Sequence, residues 1–261
     1  MLTFPPSWSR SIGALTGEFT FDVAGLPVTA TLTERLLERV YLPVLSLLEE
    51  RAAGGRVVGG LAGIPGSGKS TFGAVVQYVA DRVVGAGAFA VVGMDGWHYP
   101  NAVLAELTTR DSTGTVVPLS RRKGSAESFD TAALARAIAE VKRAGRDVAL
   151  PVYDRRRHEP VAAGVVVPTD ARVVLFEGNY LLNDTGAWAA VSSQLSPRLL
   201  LRCDLGVASE RVIARHIRGG STPTEAAVRY DENDRLNTEV VLACAERAEV
   251  TIDLEQEEVV V

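Results

Sequence analysis

Gly63-Ile64-Pro65-Gly66-Ser67-Gly68-Lys69-Ser70 decides the reading of this chain. It fits the pattern G-x-x-x-x-G-K-[ST], and Thr71 follows it. The apolar run Arg56-Val57-Val58-Gly59-Gly60-Leu61-Ala62 leads in. A helix-compatible run, Ser70-Thr71-Phe72-Gly73-Ala74-Val75-Val76-Gln77-Tyr78-Val79-Ala80, leads out. Glycines let consecutive backbone N–H groups turn toward one anion, and the helix N-terminus adds its unsatisfied N–H groups and positive dipole end. Residues Gly63, Pro65, Gly66, Ser67, Gly68, Lys69, Ser70 and Thr71 therefore read as a nucleotide-phosphate site. Lys69 would reach the β- and γ-phosphates of ATP, and the Ser70 hydroxyl would ligate Mg²⁺. A glycine-rich turn with a chance lysine would match in roughly one chain of this length in a hundred. The strand before the loop and the helix after it argue against chance.

Working outward, apolar strand-like runs alternate with helical patterns. The strand runs lie at 57–62, 89–94, 148–153, 164–168, 173–176, 198–203 and 249–254. Helices are expected at 69–84, 101–108, 131–144, 207–218 and 223–246. Such alternation predicts an α/β fold with a mostly parallel central sheet between helical layers. Ligands of such sheets bind at the carboxyl ends of the strands. That rule gathers the phosphate loop, Asp95, Asp154 and Glu177 on one rim, delivered by four strands.

Residues 1–54 read as an N-terminal extension and 55–261 as the domain built on the loop. In the extension, Glu18–Val23 and Val28–Thr31 suggest a hairpin turning at Ala24-Gly25-Leu26-Pro27. Thr33 suits a helix N-cap, Pro43 a kink or break, and Gly54-Gly55 a stop. Glu255-Gln256-Glu257-Glu258 reads as a solvated tail.

The 261 residues carry a net charge of −5, which argues against a nucleic-acid partner. Cys203 and Cys244 have no metal-ligand spacing and are expected to be reduced. Met1–Trp8 lacks a basic region followed by an apolar core. The longest near-apolar stretch, Val83–Met94, is too short to span a bilayer. A cytoplasmic protein without a membrane partner is expected.

Four groups of residues carry chemistry. Asp95 follows a buried strand and reads either as the base for a substrate hydroxyl or as a cap of the turn before Gly96. Glu177 ends Val173-Val174-Leu175-Phe176 and reads as the second Mg²⁺ partner or an ordinary strand-end acid. Arg211, Arg215 and Arg218 share one helix face before Gly219-Gly220. They read as a lid over phosphates or as a solvated basic face. Tyr153-Asp154-Arg155-Arg156-Arg157-His158 is dense in donors. Asp154 and His158 suit substrate hydroxyls, and the arginines suit a substrate carboxylate or phosphate, or solvent.

These motifs together resemble the superfamily of uridine kinase, phosphoribulokinase and bacterial pantothenate kinase. The matching strings are Gly63–Ser70, Met94-Asp95-Gly96-Trp97-His98-Tyr99-Pro100-Asn101 and Lys123-Gly124-Ser125-Ala126-Glu127-Ser128-Phe129-Asp130. Pro151–Asp154 with His158, Glu177-Gly178-Asn179-Tyr180-Leu181-Leu182 and Arg211–Arg218 complete the set. The strongest likeness is to the "nucleoside/nucleotide kinase family" and the fructose-transport-system kinases. The resemblance implies a P-loop three-layer sandwich with an arginine-bearing lid. It implies transfer of the γ-phosphoryl group of ATP to a hydroxyl of a small metabolite. By resemblance Asp95, Lys69 and Arg215 are catalytic, and Arg211, Arg215 and Arg218 join the ATP site. Glu177 takes the Walker B position with Ser70 on Mg²⁺. His98, Tyr99, Lys123, Tyr153, Asp154 and His158 fall around the acceptor, and Asn233–Asn237 stands where the family holds the base. Proteins of this family often form dimers. The lid is less basic than in the nucleoside kinases, and residues 101–130 depart from their nucleoside-binding pattern. The remaining alternatives are a nucleotide-dependent switch, disfavoured by the absence of an Asn-Lys-x-Asp string, and an ATP-sensing protein without phosphotransfer.

Overall fold

A computed structural model describes residues 2–23, 25–111 and 113–261. Ala24, in the expected turn of the first hairpin, lies outside them.

After two short helical turns, Pro6–Ser9 and Ile12–Leu15, come β1 (Gly17–Val23) and β2 (Leu26–Leu32), paired antiparallel from Gly17↔Leu32 to Val23↔Leu26. Thr33 Oγ1 then accepts the Leu36 N–H at 3.0 Å and caps a helical stretch. Of the kink or break expected at Pro43, there is no break: a wide π-helical turn, Leu37–Tyr41, runs into α1 (Leu42–Arg51). That turn absorbs the hydrogen bond proline cannot donate, so the path stays helical.

The central sheet follows: β3 (Val57–Ala62), α2 (Lys69–Val83), β4 (Phe89–Gly93), α3 (Asn101–Glu106), and a small antiparallel pair, β5 (Thr108–Arg110) and β6 (Val116–Pro118). Asp130 Oδ1 accepts the Ala133 N–H at 2.8 Å, capping α4 (Thr131–Arg143) as the sequence predicts. Next come β7 (Val148–Asp154), β8 (Glu159–Val167), β9 (Val173–Glu177) and β10 (Arg198–Arg202). The chain closes with α5 (Leu205–Arg218), α6 (Pro223–Arg229), α7 (Arg235–Leu242), β11 (Val250–Asp253) and β12 (Glu258–Val260).

The six-stranded sheet has the order β12-β11-β10-β3-β9-β4 and is parallel except for β12. The expected tail Glu255–Glu258 is thus a turn and the start of an edge strand. Each core strand is apolar on both faces. In β9, Val173 and Leu175 face a core shared with α1 and α2, while Val174 and Phe176 face one shared with α4. This period of two places the sheet between two helical layers. The extension is fastened to the first core, where Tyr41 stacks on Phe72 with ring centroids 5.1 Å apart. No helix among the described residues is long and apolar enough to cross a membrane.

A further expectation fails. The runs at 148–153 and 164–168 are not sheet members. They belong to β7 and β8, a separate antiparallel hairpin. Only Arg155–His158 separate them, too few residues for the crossover that parallel pairing demands. The carboxyl rim therefore receives chemistry from three central strands.

Candidate active site

Strand register sets the site. Leu61 in β3 is level with Glu177 in β9, and Glu177 with Gly93 in β4. The phosphate loop, Glu177 and Asp95 therefore leave adjacent strands at one height.

The loop's glycines are dictated by close approach. A Cβ on Gly63 would fall 2.7 Å from Ser67 Oγ and 2.9 Å from the Leu201 carbonyl. At Gly66 (φ +82°) it would fall 2.3 Å from the Ala208 carbonyl of α5. The Lys69 ammonium is buried and donates to the Ile64 carbonyl at 3.1 Å. Burial lowers its pKa to about 8, against the opposing pull of Glu177 and Asp95; Arg215 and Arg155 add to the lowering. Ser67 Oγ is buried without a hydrogen-bond partner among the described residues. A cramped loop, a buried ammonium and an orphaned hydroxyl fit a nucleotide polyphosphate. Ser70 Oγ donates to Glu177 Oε1 at 2.9 Å. Among the described residues no group of three or more His, Cys, Asp or Glu is placed to cage a metal. Mg²⁺ needs no such cage, since it takes one or two protein oxygens beside phosphate and water. The Ser70–Glu177 pair suits it. Burial raises the Glu177 pKa, with Asp95 adding to the rise and Lys69 and Ser70 opposing it.

Asp95 opens the turn after β4, 3.5 Å from the Arg155 guanidinium. Burial pushes its carboxyl up, but His98, Arg155, Lys69 and Arg215 outweigh that and hold it below the usual range. Asp95 is therefore ionised at neutral pH. One cavity of about 660 Å³ is lined by Ser70, Glu177, Asp95, Tyr153, Asp154, Arg155 and Arg156, among others.

The residues expected around the acceptor divide. His98 Nδ1 lies 2.9 Å from the Asp95 carbonyl, which only accepts, so Nδ1 carries the proton. The ring packs on Phe129 and Tyr153 at 4.0 and 5.1 Å. Burial lowers its pKa against the pull of Asp95. His98 positions the turn that carries Asp95. Tyr99 points elsewhere, lining a second cavity with Leu107, Thr109 and Glu127. Successive extended residues alternate sides, so His98 and Tyr99 cannot both face one site. Lys123 donates to Asn101 Oδ1 and to the His158 carbonyl. It lies 5.2 Å from the Tyr153 ring centroid, and burial lowers its pKa. His158 is exposed with φ +53° and contributes that carbonyl. Asp154 Oδ1 accepts the N–H groups of Arg156 and Arg157 at 2.8 and 3.1 Å, building the β7–β8 turn. It borders the cavity but leaves a separate hairpin instead of the sheet rim.

The lid expectation is partly corrected. The first half of α5 is pinned by buried Ala208 and Val212 against the loop. Arg211 donates to the Gly66 carbonyl at 3.4 Å. Arg215 lies 3.9 Å from Asp234 Oδ1. Arg218, one turn later, makes no described contact with the site. Asn233–Asn237 is partly committed internally. Asn233 donates to the Lys123 carbonyl at 3.0 Å, and Asp234 pairs with His216 at 2.8 Å. This segment braces α5 against the 123–124 loop, while Asn233 Oδ1 is left without a hydrogen-bond partner among the described residues.

The strings at 94–101, 123–130 and 177–182 meet in one aromatic cluster. Phe129 contacts Tyr180 and Trp188 edge-on at 5.8 and 5.7 Å, and the Tyr180 hydroxyl donates to the Gly124 carbonyl at 2.6 Å. Sequence reasoning missed two further participants: Arg155 as the ion-pair partner of Asp95, and the first hairpin, whose Asp22, Val23 and Gly25 also line the cavity.

A parallel sheet with this loop on a central strand and acids ending its two neighbours on one side is the architecture of the P-loop kinases. No family model matches the chain. It is 30% identical over 238 residues to "Uncharacterized protein YggC" of Escherichia coli, covering 90% of this chain and 94% of that protein. It is 31% identical to "Putative uridine kinase C227.14" of Schizosaccharomyces pombe, covering 83% and 88%. Among solved structures, a "putative fructose transport system kinase from Silicibacter sp. TM1040" superposes with a TM-score of 0.65 at 27% identity, covering 77% of this chain and 94% of that one. The chain belongs to the P-loop kinase superfamily of uridine kinase-like and bacterial pantothenate kinase-like proteins.

Proposed function

We propose that this protein is an ATP-dependent kinase that transfers the γ-phosphoryl group to a hydroxyl of a small metabolite. The observation carrying this is that Ser70 and Glu177, the candidate metal pair, and Asp95, the candidate base, line one cavity. That volume lies within the ~300–1,000 Å³ of small-molecule sites.

Backbone N–H groups of residues 66–71 and the Lys69 ammonium hold the phosphates. Ser70 and Glu177 would hold Mg²⁺, which would supply positive charge to the transferring phosphate. Asp95 accepts the acceptor's hydroxyl hydrogen. Its depressed pKa makes it a weak base, so it mainly orients the hydroxyl and takes the proton late, as a loose transition state permits. Arg215 supplies positive charge beside Lys69 and Asp95. Arg155 and Arg156 on the cavity wall suit a negative group on the acceptor.

The test is an acceptor panel (a neutral sugar, a nucleoside, pantothenate and a sugar phosphate) with ADP release as readout. Release stimulated by at least one acceptor supports the reading. Uniform slow hydrolysis with every acceptor overturns it in favour of an ATP-sensing protein.

A further inference from the structure

Residues 1–54 carry no acid–base or phosphate-binding pattern, and no step proposed above uses them. Yet the cavity around Asp95 is incomplete without them. Asp22, Val23 and Gly25, flanking the β1–β2 tip, line it together with Tyr153–Arg156 and Val161 of the β7–β8 hairpin.

Strand β1 is held in place. Phe19 and Phe21 pack on Tyr78 of α2 with ring centroids 4.9 and 5.4 Å apart, and the Arg82 guanidinium sits 3.5 Å from the same ring centroid. Phe19, Phe21 and Val23 alternate along β1 and share one face. The face that grips α2 thus continues at Val23 into the cavity. The same helix sends Ser70, Ala74 and Gln77, spaced i, i+4, i+7, into that cavity. Asp22 Oδ1 accepts the Gly25 N–H at 2.8 Å and shapes the turn. Val23 joins Ala74, Val91, Val152, Val161 and Val165 as apolar lining.

The geometry points to the N-terminal hairpin as the acceptor-selecting wall of the phosphotransfer site, with Val23 as a specificity-determining residue. Val23 meets a carbon-rich part of the acceptor, not its reacting hydroxyl. The assignment rests on the kinase reading above. Among the described residues the hairpin makes no hydrogen bond or ion pair with the groups assigned to the nucleotide (residues 63–71, Glu177 and Arg215), so the wall governs acceptor choice.

The experiment compares wild type, Val23→Phe, which fills the cavity, and Val23→Ala, which widens it, on the four-acceptor panel. Val23 sits half-exposed at a strand end, so both variants should fold, and an unchanged unfolding midpoint checks this. If Val23→Phe fails that check, Val23→Ala carries the comparison. We expect acceptor KM to shift by about tenfold or more in opposite directions for large and small acceptors. The panel ranking should change while nucleotide Kd does not. Wild-type ADP release with unchanged acceptor KM and ranking in the folded variants overturns the hairpin assignment and leaves the kinase standing. Absence of acceptor-stimulated release from wild type overturns both.

Discussion

Ser70 Oγ donates a 2.9 Å hydrogen bond to Glu177 Oε1, joining the first turn of α2 to the end of β9. Hydroxyl and carboxylate are thereby aligned on one point beside the loop. Glu177→Gln keeps the shape and removes the charge. Mg²⁺ activation of ADP release should shift to about 10–100-fold higher concentration. An unchanged Mg²⁺ titration would remove Glu177 from the metal site.

Asp95→Asn should lower acceptor-dependent turnover by about 10²–10⁴-fold. Nucleotide affinity should survive, because residues 63–71 are untouched. Binding by fluorescent-nucleotide titration and turnover by ADP release separate the two. Unchanged turnover with a true acceptor would return Asp95 to the role of a turn cap.

Lys69 makes nucleotide binding pH-dependent. Burial brings its pKa from 10.5 to about 8, with Glu177 and Asp95 opposing and Arg215 and Arg155 assisting. Polyphosphate favours the charged ammonium, so binding above pH 8 requires proton uptake. Affinity should be flat below about pH 8 and fall toward tenfold per unit above it. Stability moves the opposite way. Between about 8 and 10.5 the unfolded chain binds more protons than the folded one, so this group's penalty is present at low pH and fades as pH rises. Lys69→Ala should bind nucleotide weakly and lose the alkaline slope.

The parts of the site that the sequence discloses share one signal. Gly63–Ser70, Asp95 and Glu177 each end a continuous apolar run, and such runs are what buried parallel strands require. The same signal misplaced Asp154. Val148–Tyr153 is equally apolar, but Arg155–His158 are too few for a crossover, and that gap outweighs the run. The resemblance places Tyr99 with His98, although an extended backbone sends neighbours to opposite sides. The contribution of Asp22 and Val23 was not legible at all. Their cavity partners at 152–156 lie some 130 residues on, and no local pattern encodes that meeting. Asn233–Asn237 shows a related limit: two of its polar groups, Asn233 Nδ2 and Asp234, are engaged by the Lys123 carbonyl and by His216 of α5, pairings no local pattern encodes.

Gly96 explains why a glycine must follow Asp95. A Cβ there would fall 2.3 Å from the Pro151 carbonyl oxygen and 2.6 Å from its carbon. Both atoms belong to the backbone of β7, which cannot swing aside as a long side chain would. Gly96→Ala must therefore part β7 from the 94–97 turn. Asp95 and Arg155, 3.5 Å apart across that contact, would separate with them. The substitution should cost about 1–3 kcal/mol of stability by overpacking. It should lower turnover far more than nucleotide affinity, since the loop at 63–71 lies outside the contact. Gly13→Ala is the control: a Cβ there meets nothing within 4 Å, and the change should stay within about 0.5 kcal/mol. Denaturant unfolding, nucleotide binding and ADP release on the two variants test the point. Equal stability in both would mean that β7 does not hold Asp95 in place.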